Sequence, residues 1–488
     1  MARGQMQEVL LVEVVDDRDP RGPVRADGAP VSPSRRLGGA ARRWWPVAAV
    51  LAALLAVGVA VTGLRERERL ARLEAQPRLL AALGPPFAEL WRTSMRGWGR
   101  VLAVDGDVVL FGPDADGATA VVRQAGESGA RRWLAPFPEL GAGDDLWCQP
   151  LGADGAVEHL ACRLEISPGG LGRAGGAVRL VVLDAGTGER VAERALTGTA
   201  VAVAAAGVDL VVSQARRDGT VLITRQDPVT AAVRWSHRTR QSDRGALGSR
   251  ALDTRVEHGV VVVGGPVTWA LDVRDGRQLG EWHLEGGDWA VRGGWGLDVT
   301  VLADGRFAVG ESGGVGLADE EYGTVSATDA RDGFAINGPV LQPVVDDGSA
   351  ADLLFTVPPD RGGMIAQDAA TGERRWDLGT MPWGNSIVLD GRVIVVIGRE
   401  LVALDARSGQ RLWSVPVPRG NHAQQVVTDG DVVAVPISDR ERGPLLAAFD
   451  PADGRARWTA ALPPGGTHLT ALDGRLAVFT DRDLVVLG

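Results

Sequence analysis

The stretch AQDAATGERRW, residues 366–376, decides the fold, because it compresses a turn, its caps and an aromatic anchor into one short segment that recurs. ALDARSGQRLW at 403–413 and AFDPADGRARW at 448–458 keep the same spacing of an aspartate, then a glycine, then a tryptophan. Around each copy the chain reads as two apolar strands, a third ending in the aspartate, a glycine turn, and a fourth carrying the aromatic residue. Partial copies keep some of the spacing: Asp227, Thr230 and Trp235; Gly129 and Trp133; Asp184, Thr187 and Gly188; Asp272, Gly276 and a displaced Trp282; Asp329 and Gly333. A period of roughly 40–50 residues built from short strands signals a propeller or a solenoid.

The chemistry of the turn explains its composition. Asp368 with Thr371, Asp405 with Ser408, and Asp450 are placed to cap the connection between third and fourth strands. Gly372, Gly409 and Gly454 supply the positive φ that such a turn needs. Trp376, Trp413 and Trp458 then face the next sheet, where an indole buries about 150–250 Å2. At about 25 cal/mol/Å2 that is several kcal/mol per interface as an upper figure, so these tryptophans are structural.

The motif A-x-D-x-x-[TS]-G-x-x-x-W resembles the tryptophan-docking motif of the quinoprotein (PQQ-like) β-propeller family, and the resemblance covers nearly all of the chain after residue 84. It implies an all-β propeller of about eight four-stranded blades. At face value the repeats number eight complete units plus one split unit. The strands near 467–472, 475–480 and 483–487 lack a fourth, and residues 89–93 supply one with Trp91, so the expected ring is closed by an N-terminal strand. The family includes PQQ-dependent alcohol dehydrogenases as well as cofactor-free assembly lipoproteins of the BamB type, and the motif does not separate them. The resemblance is nearer to the cofactor-free scaffolds, because a dehydrogenase of this family implies a vicinal Cys-Cys pair that is missing here.

Ahead of the repeats, residues 44–64 (WWPVAAVLAALLAVGVAVTGL) carry no charge, and at about 1.5 Å rise per residue they would cross about 30 Å of hydrocarbon. This predicts one transmembrane helix contacting the lipid bilayer from Trp44 to Leu64. The expected organisation is a cytoplasmic tail over 1–43, the span over 44–64, a charged stalk helix over 65–84 and the propeller over 85–488. The expected localisation is single-pass in the cell membrane, with the N-terminus cytoplasmic and the propeller extracytoplasmic.

Hydrophobic residues make up 45% of the 488 and charged residues 23%, which suits a globular chain. The net charge of −10 argues against a nucleic-acid partner. All basic charge is arginine, since the chain contains no lysine. The two cysteines, Cys148 and Cys162, flank a hairpin about Gly155 that would set them opposite each other as a disulfide; two separate buried thiols are the alternative. No metal-ligand spacing, phosphate loop or nucleophile elbow occurs, so no cofactor, metal or enzymatic role is expected. Trp98, Trp289, Trp295 and Trp383, each just before the first strand of a blade, with Arg292 and Asn385, form a candidate partner-binding rim. Packing between blades is the plain alternative for them. The acidic insertion at Asp319, Glu320, Glu321 and Tyr322 is a second candidate, with a solvated loop as its alternative. The resulting functional expectation is a membrane-anchored protein-binding scaffold that meets another envelope protein. The alternative is a PQQ- or small-ligand-binding enzyme or sensor.

Overall fold

In the computed structural model the chain divides into two units, residues 1–65 and 66–488. The structure describes Val50, Gly63, Leu64 and residues 66–488, except 95–99, 114–116, 142–143, 154, 167–176, 241–251, 266, 284–296, 303, 312–322, 327–333, 337, 359–362, 418–424, 467 and 481.

The expectation of a single-pass membrane protein is overturned: among the described residues no helix is long and apolar enough to cross a membrane. Of 44–64 only Val50, Gly63 and Leu64 are described, and the helix that follows, 66–74, is dense in Glu and Arg and amphipathic rather than apolar. The expected tail, 1–43, lies outside the described residues.

The second unit is all β apart from that helix. Its strands sort, among the described residues, into nine sheets in chain order. We number the blades 1 (residues 100–136), 2 (145–196), 3 (200–240), 4 (253–283), 5 (297–336), 6 (353–377), 7 (382–416), 8 (427–461) and 9 (468–487 with 89–94). The count exceeds the expected eight because the two long repeats, 145–196 and 297–336, each make a full sheet of their own. Glu89–Ser94 pairs antiparallel with Asp483–Leu487 and completes blade 9 from the other end of the sequence.

Blade 6 departs from the four-stranded plan. Its sheet has three strands, and the place beside Leu353–Thr356 is held by a single antiparallel bridge from Val340. Pro339 and Pro343 interrupt what would be an inner strand, since proline has no N–H to give to a ladder. The chain then runs on, and Val345–Asp346 pairs in parallel with Ile387 and Val388 of blade 7.

The apolar clusters lie between successive sheets, as when Phe111, Val121 and Trp133 of blade 1 meet Leu160, Leu164 and Val181 of blade 2. The disulfide between Cys148 and Cys162 sits in that same cluster, joining directly opposed residues of one hairpin.

The docking turns fasten five of the seams in a common way. The indole Nε1 donates to a carbonyl of the next blade: Trp91 to Gly126 at 2.8 Å, Trp133 to Ala185 at 2.9 Å, Trp235 to Val273 at 2.9 Å, Trp376 to Ala406 at 2.8 Å and Trp413 to Pro451 at 3.0 Å. In the last four the acceptor is the residue after the motif aspartate. Where the tryptophan is missing, another side chain takes its place. Blade 2 has Ala192 at the docking register, and Arg194, two residues on, donates to Pro228 at 2.6 Å. Blade 4 has Gly280 there, and Trp282 folds back over that glycine to meet Phe307 edge-on at 5.1 Å. Blade 5 offers Phe334, which cannot donate; Arg306 supplies the bond to the Ala369 carbonyl.

The turn glycine is required twice over. Gly409 has φ of 68°, and a Cβ there would stand 2.6 Å from the Trp376 ring. The aspartates cap as the sequence spacing suggests: Asp405 accepts from the Ser408 amide at 2.8 Å and its hydroxyl at 2.7 Å, and Asp368 accepts from the Thr371 amide at 3.0 Å.

The 65–84 segment is not a free stalk. Leu73, Leu80 and Leu83 are buried, Arg69 pairs with the buried Asp347 at 2.9 Å, and Phe87 meets Trp458 edge-on at 5.4 Å. Its helix stops at residue 74 and the chain lies along blades 7, 8 and 9, because the leucines have apolar surface within reach.

Three predictions test this framework. Gly409→Ala forces a left-handed backbone on alanine and drives a methyl into the indole, so equilibrium urea unfolding should show a loss of at least about 2 kcal/mol. Trp133→Phe should cost less than Trp376→Phe, because Arg123 also donates to the Ala185 carbonyl at 2.8 Å and keeps it satisfied. Replacing both cysteines by serine should cost about 3 kcal/mol, the loop-closure value for a crosslink spanning 14 residues.

A fourth test uses acid. The Arg375 guanidinium, helped by the Thr371 and Ala370 amides, holds the Asp368 carboxyl down at about 2, and Arg274 holds Asp272 at about 2. Asp184, Asp227, Asp405 and Asp450 are lowered by bonds from their own turns. The unfolded chain therefore binds more protons than the fold below the usual carboxyl value of about 4, and the stabilisation is present above that value and lost as pH falls towards about 2. The urea midpoint should be flat near neutrality and fall through this window, and Asp368→Asn should make the fall shallower.

Candidate functional site

The inner strands of the blades carry a second set of inter-blade bonds, and these decide where the proposed rim residues go. Asn385, in the first strand of blade 7, donates to the Val426 carbonyl at 2.9 Å and accepts from the Val426 amide at 2.7 Å. Both ends of its amide are thus committed to blade 8. Gln149 of blade 2 does the same to blade 3, donating to Val203 at 2.7 Å and accepting from the Ala205 amide at 2.7 Å. Gln425 accepts from the Leu469 amide across the seam from blade 8 to blade 9.

Arginines and hydroxyls serve other seams, and one arginine adds to the seam of Gln149. Arg100 of blade 1 donates to Leu146 at 3.2 Å, Arg163 of blade 2 to Val201 at 3.0 Å, and Arg255 of blade 4 to Val299. The hydroxyls of Thr254 and Ser213, both buried, join blades 3 and 4 at 2.8 Å. Each bond contributes about 1 kcal/mol net, and more where a guanidinium is the donor. A buried amide left unpaired would cost as much, which is why these positions tolerate only a matched partner.

Of the other rim candidates, Trp98, Trp289, Arg292 and Trp295 lie outside the described residues, as do Asp319, Glu320, Glu321 and Tyr322. Trp383 lies in the strand Pro382–Leu389 opposite Val396. Of the expected group only Trp383 and Asn385 are described, and Asn385 belongs to a blade junction.

A different tryptophan is partly exposed near the start of a first strand. Trp147, near the start of the first strand of blade 2, keeps 39% of its surface exposed. The Arg100 guanidinium lies 4.3 Å over its ring, and Phe111 meets it edge-on at 6.3 Å. Asp145 pairs with Arg100 at 3.3 Å, so the cation is held between a carboxylate and an aromatic face. Sequence reasoning passed over Trp147 because it looked only before the first strands. The usable signal was the alternation Leu146, Trp147, Cys148, in which the two flanking side chains are buried and the tryptophan faces the other way.

The quinone cofactor that the fold brings to mind requires free polar groups and a calcium site in the funnel. Among the described residues no three His, Cys, Asp or Glu side chains converge to hold a metal ion. The inner-strand arginines and amides named above are bonded to neighbouring blades. Those side chains are engaged across the seams and are not free to hold a quinone.

A family model described as outer membrane protein assembly factor BamB matches residues 264–440 and, overlapping, 321–487. Among solved structures, the chain is similar to BamB from Moraxella catarrhalis, at 15% identity over 83% of this chain and 98% of that one, with a TM-score of 0.44. It is also similar to quinohemoprotein alcohol dehydrogenase ADHIIG from Pseudomonas putida HK5, at 12% identity over 82% and 76% of the two chains, with a TM-score of 0.41. A eukaryotic initiation factor gives 11% identity, 78% and 90% coverage and a TM-score of 0.46. No curated protein sequence matches the chain. The last two structures come from proteins of unrelated activity, so none of these likenesses carries a function. The overlapping family matches together span residues 264–487 and fall on blades 4 to 9, and over that stretch the repeats are those of a PQQ-like β-propeller.

Proposed function

We propose that this propeller is a scaffold that binds another protein and performs no chemistry of its own. The observation that carries the reading is the Arg100–Trp147 stack. Tryptophan and arginine are the residues most often found to anchor protein interfaces, and here the pair is half exposed on a rim whose backbone is held by inter-blade bonds. An anchor that needs no ordering on contact loses less entropy when a partner arrives. The matching family model is named for an assembly factor, and by that likeness the partner is another envelope protein.

Affinity capture with the intact protein, after cross-linking in extracts of its own cells, should recover a specific partner. Trp147→Ala should reduce that recovery at least tenfold, beyond what the fall in melting temperature from its lost contacts with Arg100 and Phe111 accounts for. Equal recovery with Trp147→Ala would sink the rim as the contact. Titration of the purified protein with PQQ and calcium separates the competing reading: a saturable change in quinone absorbance, or dye reduction, would favour a ligand-binding enzyme or sensor.

A further inference from the structure

Residues 66–83 lie along blades 7, 8 and 9 in a groove that the blades build without their help. At one end the Asp347 carboxylate is fixed by the Ser349 amide at 2.9 Å and the Asp390 amide at 2.8 Å, both from the blade side, and Arg69 enters the remaining space to reach Asp347 at 2.9 Å and Asp390 at 2.8 Å. In the middle, Leu73 packs with Ile387, Leu389 and Val426. At the far end, turn carbonyls and one carboxylate receive the strap's backbone: Leu80 donates to Thr428 at 3.0 Å, Ala81 to Gly474 at 2.7 Å and Leu83 to Asp429 Oδ2 at 2.7 Å. The other oxygen of Asp429 already accepts from the amides of Asp431 at 3.0 Å and Val432 at 2.9 Å, so this acceptor too is set by its own turn.

The floor is shaped for close approach. A Cβ on Gly430 would stand 3.0 Å from Leu73, one on Gly474 would stand 3.1 Å from the Ala81 side chain, and one on Gly348 would collide with Arg72. Against this built surface the strap offers little of itself: Leu73, Leu80 and Leu83 are its buried side chains, and most of the residues between them are exposed. A segment held by a few separated anchors belongs to the low-stability end of a fold and opens locally before the rest.

We propose that this groove is a binding site for a partner segment that presents an arginine with a leucine four residues on, and that residues 66–83 are its displaceable intramolecular occupant. It rests on the scaffold reading and adds a second contact, on blades 7 to 9, to the rim at Trp147. Recognition follows the helix-in-groove mode at the arginine and leucine, then main-chain pairing at the turn carbonyls.

The intact protein gives the first test. Backbone amides of Leu80, Ala81 and Leu83 should exchange with deuterium at least 100-fold faster than those of Val485 and Val486 in the last strand. Exchange at the core rate makes the strap a permanent clasp and overturns the proposal. The second test uses a fluorescent synthetic peptide of residues 66–83. The full chain carrying Arg69→Glu with Leu73→Ser should bind it at least tenfold more tightly than the unaltered chain, whose own strap competes, and a peptide carrying Arg69→Glu should bind at least tenfold more weakly. Leu73→Ala alone, with a smaller gain, serves if the double variant does not fold. No gain in a folded variant, indifference to the peptide's arginine, or self-association of the variant without peptide binding each overturns the groove. A partner still captured in a Trp147-dependent way would then leave the scaffold reading standing.

Discussion

Much of the ring hangs on one acceptor: the carbonyl that follows the motif aspartate. The aspartate fixes the turn, the turn points that carbonyl at the preceding blade, and a donor arrives from there. In blades 1, 3, 6 and 7 the donor is an indole. In blades 1 and 3 a second donor, Arg123 or Arg225, bonds the same oxygen and ties it to Asp107 or Asp209 within its own blade. Blades 2 and 5 have lost the indole at that register and still deliver an arginine to the acceptor. The bond outlives the residue that usually makes it, which marks the carbonyl as the constraint and the tryptophan as its commonest solution.

A second ring of bonds lies nearer the axis, and the two differ in kind. The outer ring is made by side chains that also bury large apolar area, so their hydrogen bonds are a supplement to packing. The inner ring is made by Gln149, Asn385, Arg100, Arg163 and their counterparts, which contribute mainly direction: an amide bonded at both ends fixes one register between neighbouring inner strands. Close packing on the outside and paired polar groups on the inside hold each blade at two radii, which resists both sliding and hinging. A surface mounted on such a frame, as Trp147 is, keeps its place.

The docking turn was legible in the sequence because all its chemistry is local: cap, glycine and anchor fall within a dozen residues and need no knowledge of what lies opposite. The pairing of Glu89–Ser94 with the last strand was legible for a similar reason, a surplus strand at one end and a deficit at the other. The roles of Asn385 and Gln149 were hidden, since their partners are backbone atoms some 40–56 positions away whose placement follows from the twist of the next sheet. The ninth blade exceeds the family expectation of eight, although the repeats at face value already number eight complete units and a split one. By its charge alone the amphipathic stretch after residue 65 resembles a spacer; Leu73, Leu80 and Leu83 show their purpose only once the surface beneath them is known.

The strand Val345–Asp346 makes one seam unlike the others described. At the other seams described the joining bonds come mostly from side chains, with a single main-chain bond from the Gly152 amide to the Gly207 carbonyl between blades 2 and 3. Between blades 6 and 7 the chain leaves one sheet by a bridge at Val340 and enters the next as a parallel neighbour of Ile387 and Val388, with Val344 and Asp347 donating to Ser386 and Val388. Parting these two blades means tearing main chain from main chain. They form a welded pair, joined by a short parallel ladder as well as by side chains.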